Sequence, residues 1–125
     1  MIAIDSSSWI AYFEGAPGAD TDAVERALAE RQARLPPVVL TELLSDPALP
    51  RHVAELLLQL PLLAPDAGYW ERAGRLRARV LAARRKARVA DVLITQSCLD
   101  HVVALITRDR DFRTLARIVR LRLTP

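Results

Sequence analysis

Val102-Val103-Ala104-Leu105-Ile106-Thr107-Arg108-Asp109 is the stretch whose reading decides the fold. A continuous apolar run rich in β-branched residues reads as a strand buried on both faces, where a half-exposed strand would alternate. The polar segment from Thr107 to Phe112 reads as a turn. Ahead of the strand, Asp91 opens a strongly apolar helix through Leu93, Ile94 and Cys98 towards His101. That helix emerges from the basic segment Arg84-Arg85-Lys86-Ala87-Arg88. A carboxylate at such a junction either caps the helix or serves a site, and the choice depends on which other acids converge on it.

The same order of apolar run followed by acid recurs at the N-terminus. Ile2-Ala3-Ile4 is a short buried strand ended by Asp5, and Ser6-Ser7-Ser8 are suited to cap a helix from Trp9 to Glu14. Gly15 to Gly18 stop that helix, and Asp20-Thr21-Asp22 start another that carries Val24, Ala27 and Leu28 up to Pro36-Pro37. Val38-Val39-Leu40 is the next expected strand, with a short helix opening at Thr41-Glu42. Pro50 starts a helix through Val53, Leu57 and Leu60, and Leu62-Leu63 is a third strand candidate. From Pro65-Asp66 the longest amphipathic stretch sets Tyr69, Ala73, Leu76 and Val80 against a face of arginines. Arg113 to Ile118 forms a last helix and Arg120 to Leu123 an edge strand. Strand and helix alternate without hairpin signals. This predicts an α/β fold, an α/β/α sandwich around a central, mainly parallel sheet of about four to five strands.

Length and composition bound the rest. A chain of 125 residues is long enough for one continuous core and too short for two, so residues 1–125 are expected to form a single domain. The single cysteine, Cys98, excludes an internal disulfide and a multi-cysteine zinc site. No apolar run reaches the ~20 residues needed to span a bilayer, and the start lacks a positively charged leader. A cytoplasmic protein with no membrane partner is expected. All but one of the 18 basic residues are Arg, against a net charge of +3. Arginine favours bidentate contact with phosphate, which permits a nucleic-acid partner, but a GC-biased genome produces the same composition.

In parallel sheets ligands bind beyond the carboxyl ends of the strands. Asp5, Glu42 and Asp109 each follow an expected strand, and a crossover can bring Asp91 to the same rim. Asp5, Glu42 and Asp91, each taken alone, read more readily as a helix cap or first-turn acid. Together they change the balance. Two carboxylates 5 Å apart repel by roughly 3 kcal/mol at an effective dielectric near 20, so a cluster protonates or binds a cation. With only His52 and His101 available, an all-oxygen cage suits Mg²⁺ or Mn²⁺ rather than zinc. Such a site can activate water and stabilise an in-line displacement at a phosphodiester. The glycine-rich phosphate loops and the G-x-S-x-G elbow of other chemistries are absent, and Ser7 stands where a phosphoaspartyl hydrolase needs its second Asp.

Four ordered motifs carry a family resemblance: Ile-Ala-Ile-Asp-Ser-Ser at 2–7, Val-Val-Leu-Thr-Glu-Leu-Leu at 38–44, Arg-Val-Ala-Asp-Val-Leu-Ile at 88–94 and Leu-Ile-Thr-Arg-Asp-Arg-Asp-Phe at 105–112. Over nearly its whole length the chain resembles a PIN-domain ribonuclease, closest to the VapC toxins of bacterial toxin–antitoxin pairs. The resemblance implies that Asp5, Glu42, Asp91 and Asp109 bind Mg²⁺ or Mn²⁺ and activate water to cut RNA, with Asp5 and Asp91 as principal ligands. It also implies a VapB-type antitoxin that blocks the site, and a homodimer. Ser6 and Thr107 stand where the family has small polar groups, and Asp111 is an auxiliary acid or a turn residue. Arg84, Arg85, Lys86 and Arg88 either hold the RNA backbone or complement a helix end. Trp9, Tyr12 and Phe13 are core residues or part of a partner groove. The alternative is a non-catalytic RNA- or protein-binding PIN module whose acids are only caps.

Overall fold

The computed structural model describes residues 1–125. Its centre is a four-stranded, wholly parallel sheet in the order β2-β1-β3-β4, built from β1 (Ile2–Ile4), β2 (Ala33–Arg34), β3 (Ala104–Ile106) and β4 (Leu123–Thr124). Ala3 aligns with Arg34 on one side and with Leu105 on the other, and Leu105 aligns with Leu123. Successive residues of a strand face opposite sides of the sheet, yet Ala3, Ile4, Leu105 and Ile106 are all fully buried. Both faces are therefore covered, as the unbroken apolar runs imply.

Seven helices supply that cover: α1 (Ser6–Phe13), α2 (Ala19–Ala29), α3 (Pro37–Leu44), α4 (Arg51–Gln59), α5 (Tyr69–Ala82), α6 (Val89–His101) and α7 (Asp111–Ile118). One continuous cluster of buried side chains joins them, from Trp9 and Val24 through Leu35, Leu57 and Val80 to Phe112 and Leu115. No helix is long and apolar enough to cross a membrane.

Several expected boundaries move, each for a local reason. Val38-Val39-Leu40 is helical. Pro37 occupies the first helical position, where its fixed φ suits a helix and its missing N–H is not needed. Val39 and Leu43, four residues apart, are the buried pair on one helical face. The second strand is instead the short Ala33–Arg34, and Glu42 sits within α3 rather than beyond a strand. Leu62 makes only an isolated bridge to Leu35, which covers part of the β2 edge. Helix α6 starts two residues before Asp91 and ends on Val102 in the left-handed region, φ 54°, so the last strand begins only at Ala104. Likewise α1 begins at Ser6, with Asp5 at its N-cap position, and α7 begins at Asp111.

The sheet order positions the site. From β1 the chain crosses to β2 on one side, whereas β3 pairs with β1 on the other. The carboxyl ends of β1 and β3 lie side by side where connections part in opposite directions, the place at which ligands bind in such sheets. Asp5 continues β1 by donating its backbone N–H to Ile106 O at 2.9 Å, and Thr107 follows β3 at the same level.

Candidate functional site

Asp5 is buried at 4% exposure. It holds the N-cap position of α1 through its backbone carbonyl, which accepts the N–H groups of Ser8 and Trp9, yet its side chain makes no capping bond. The carboxylate turns towards Ser7 and Thr107 instead. Ser7 Oγ donates to Oδ2 at 2.7 Å and Thr107 Oγ1 donates to the same oxygen at 2.9 Å. Ser6 Oγ reaches Oδ1 only at 3.5 Å. Two hydroxyls thus fix one oxygen of Asp5 and leave the other nearly free to accept.

Asp91 lies in the first turn of α6, whose N-cap residue Arg88 offers no side-chain cap. Its carboxyl is pushed up to about 6, mainly by burial and then by the negative charges of Asp109 and Asp5, with Asp111 adding and Arg88 opposing. A helix N-terminus ordinarily favours a carboxylate. Burial and like charges outweigh that here. Carboxylate oxygens of Asp91, Asp109 and Asp111 lie within 4.8 Å of one another.

The β3–α7 turn shapes this triple by local bonds. Asp109 N–H donates to Thr107 Oγ1 at 3.0 Å, and Asp111 N–H donates to Asp109 Oδ1 at 2.9 Å. Such side-chain bonds two residues along are characteristic of Asx and Ser/Thr turns. Asp111 also pairs with Lys86 at 3.3 Å, linking the acids to the basic segment. Glu42 approaches from α3. Partial burial of its carboxyl raises its pKa, the charge of Asp5 raises it further, and a Ser6 hydroxyl contact opposes both.

The four acids expected from the sequence are thus coupled, while the tightest group consists of Asp91, Asp109 and Asp111, with Asp5 and Glu42 beside it. Of the basic residues, Lys86 contacts an acid of the site and Arg88 acts on Asp91 through its charge. Arg84 and Arg85 are exposed and carry no ion pair with an acid. Arg84 has a positive φ of 57° as the chain leaves α5. Arg77 Nε donates to Ala87 O at 2.8 Å and so pins this connection. Trp9 is fully buried and stacked on Phe13 at 5.6 Å, a core residue rather than a free surface.

Sequence reasoning passed over Ser7, read as one of three capping serines, although it binds Asp5 more closely than Ser6 does. It also passed over Arg110 and Arg113. They line a surface cavity of about 250 Å³ together with Thr107, Asp109 and Thr124. Their position three residues apart at the start of α7 was the available signal.

An all-oxygen donor set at this spacing suits a hard divalent cation. The donors fit. Asp91 is held well above the ordinary range of an aspartate without a cation, and compensation of that charge cluster is what an ion would supply.

Comparisons with known proteins bear on the same residues. A PIN-domain family model matches residues 2–118. The chain is 32% identical over 129 residues to the VapC ribonuclease Mb1587 of Mycobacterium bovis, covering 97% of this chain and 96% of that protein. Ribonuclease VapC11 of Mycobacterium tuberculosis matches at the same identity and coverage.

Proposed function

The chain belongs to the PIN-domain family, and on that premise we propose that it is a VapC-type toxin, a metal-dependent endoribonuclease acting on RNA phosphodiester bonds. The observation that carries the reading is the convergence of Asp91, Asp109 and Asp111 oxygens within 4.8 Å beside the buried Asp5. Relatives that share almost its full length are named ribonucleases.

In this reading Asp5, Glu42, Asp91 and Asp109 are the catalytic acids and hold Mg²⁺ or Mn²⁺, with Asp111 as an auxiliary acid. A bound divalent cation supplies Lewis acidity, favouring ionisation of water and offsetting charge on the phosphate. Ser7 and Thr107 hold Asp5 in one rotamer, and Ser6 supports it from the other oxygen. Glu42, with its raised pKa, is suited to take a proton from the attacking water. The water oxygen then bonds to phosphorus as the bond to the departing ribose oxygen breaks, and that oxygen leaves as a hydroxyl by taking a proton from solvent. Arg84, Arg85, Lys86 and Arg88 hold the RNA backbone on one approach, and Arg110 and Arg113 extend this surface along the cavity beside Asp109.

A cognate VapB-type antitoxin inhibits the enzyme, and the toxin is a homodimer acting as a single-domain protein in the cytoplasm. A non-catalytic module whose acids only cap helices fits less well, since the Asp5 side chain makes no capping bond at α1 and the Asp91 carboxylate, in the first turn of α6, accepts no backbone N–H there.

The test is cleavage of RNA with Mg²⁺ or Mn²⁺ by wild type, Asp5→Asn and Asp91→Asn. The wild type cuts, and each isosteric variant folds but loses activity. Folded variants that cut at the wild-type rate would sink the assignment.

A further inference from the structure

The turn between β3 and α7 carries Thr107 and Asp109 into the site, and Arg108 between them, which also borders the cavity beside Asp109, sends its guanidinium across to α2. The Arg108 guanidinium grips Asp20, the second residue of α2, with Nε donating to Oδ2 at 2.8 Å and Nη2 donating to Oδ1 at 2.9 Å. Ser8 Oγ in α1 donates to the same Oδ2 at 2.9 Å, and the Arg108 backbone N–H donates to Ser7 Oγ at 3.3 Å. The Asp20 side chain is only 10% exposed and Ser8 is buried.

Although the Arg108 side chain is 38% exposed, the buried carboxylate and the two-bond geometry set this apart from an ordinary surface ion pair. Exposed pairs contribute little, because two flexible side chains must be ordered in high dielectric. A bidentate fork on a nearly buried carboxylate is geometrically specific, and its length and angle fix both partners. The chain also leaves room for it. A Cβ on Gly18 would stand 2.6 Å from Asp20 Oδ1 and 3.1 Å from Arg108 Nη2.

We propose that Asp20 and Arg108 form a positioning clasp, which docks the β3–α7 turn on α1 and α2 so that Thr107 reaches Asp5 and Asp109 faces Asp91. Thr107 and Asp109 flank Arg108 directly, so any displacement of its backbone moves both. Ser7 and Ser8 couple the clasp to α1: the first bonds Asp5 and the Arg108 N–H, the second bonds Asp20. Neither Asp20 nor Arg108 touches substrate in this role; they act through the acids. The inference rests on the nuclease reading of that site.

The full chain is compared as wild type, Asp20→Asn, Arg108→Gln, Arg108→Lys, the Asp20→Asn/Arg108→Gln double variant and the Asp91→Asn control. Single-turnover and steady-state RNA cleavage are measured with thermal unfolding, and Mn²⁺ binding is followed without RNA by the paramagnetic resonance signal of the free ion. Each single loss lowers kcat and Mn²⁺ affinity about ten- to a hundredfold while KM for RNA stays within about twofold. The double variant is no worse than the worse single, and Arg108→Lys recovers part of the loss because it keeps one charged bond. Wild-type kcat and Mn²⁺ affinity in Arg108→Gln would overturn the clasp. So would a raised KM at unchanged kcat, which would make Arg108 an RNA contact, or losses that multiply in the double variant. Unfolding of Asp20→Asn at the assay temperature would make the pair a stability element and also overturn it. If the wild type does not cut RNA, or Asp91→Asn cuts equally well, the nuclease reading fails, and the Mn²⁺ arm still decides the clasp.

Discussion

The hydroxyl of Thr107 donates to Oδ2 of Asp5 at 2.9 Å while accepting the N–H of Asp109 at 3.0 Å. One oxygen atom therefore joins the end of β1, the end of β3 and the first acid of the β3–α7 turn. Thr107→Val keeps the shape and removes both bonds. Stability should fall by about 1–3 kcal/mol, because the Asp109 N–H loses its acceptor. RNA cleavage should fall by about tenfold or more. Thermal unfolding and cleavage assays on the same preparation check both, and an unchanged cleavage rate would remove Thr107 from the site.

The acid cluster sets a pH dependence whose sign follows from Asp91. Its carboxyl is raised from 3.8 to about 6 by burial first and by Asp109 and Asp5 next. Between those values the folded protein binds more protons than the unfolded chain, so stability without divalent cations falls as pH rises through that window. Above it, the cost of the ionised cluster is fully present. Melting temperatures across this range should show the decline in wild type and a smaller one in Asp91→Asn. Mn²⁺ should raise the melting temperature above pH 6 and do little near pH 4, since the cation favours the ionised acids.

Asp20 has the opposite sign. The Arg108 hydrogen bonds hold its carboxyl at about 2, against the upward pull of burial and with help from Ser8. The unfolded chain binds the proton first as pH drops, so this stabilisation is present above about pH 4 and is lost as pH falls towards 2. Acid unfolding followed by circular dichroism should be less steep in Asp20→Asn. An unaltered acid transition would mean that the pair contributes no linked stability.

Lys86 and Asp111 are both substantially exposed, at 57% and 39%. Lys86→Gln should therefore change stability by less than about 1 kcal/mol. If the lysine holds a phosphate, the slope of log affinity for single-stranded RNA against log salt falls by about 0.7. Binding of labelled RNA to an Asp91→Asn background, at several salt concentrations, reads this without cleavage. A large drop in melting temperature with an unchanged slope would make Lys86 structural.

The two tryptophans report different places. Trp9 is fully buried with no partner for its indole N–H, whereas Trp70 is 64% exposed. Trp70→Phe should leave blue-shifted emission that resists acrylamide, and Trp9→Phe should leave emission that is readily quenched. Trp9→Ala should cost about 3–5 kcal/mol, the range for emptying a large aromatic site in a core.

The strands β1 and β3 were legible from the unbroken apolar runs Ile2-Ala3-Ile4 and Val102 to Ile106, although the second run starts two residues before the strand, at the exposed Val102. The helices α4 and α5 were legible from their apolar spacing, and α6 from the strongly apolar run that Asp91 opens. Val38-Val39-Leu40 misled because three β-branched or aliphatic residues fit either period. Pro37 at the first helical position and burial of Val39 with Leu43 decided for the helix. Asp5, Asp91 and Asp109 could be singled out because an acid beside a buried run is costly. Ser7, Asp20 and Arg108 could not, since each of them also suits a cap or a solvated surface.

Residue type and order alone determined the parallel α/β class, the absence of zinc-ligand spacing and the set of acids at the ends of apolar segments. These follow from the chain's local preferences, which need no partner to be read. Only the tertiary structure decided which oxygens meet. Asp5 and Thr107 are 102 positions apart and Asp20 and Arg108 are 88 apart, and their distances depend on β3 docking beside β1 with α2 against the turn. Electrostatic coupling falls off over a few ångströms, so the rise of Asp91 and the depression of Asp20 are consequences of that docking and have no local sequence signal.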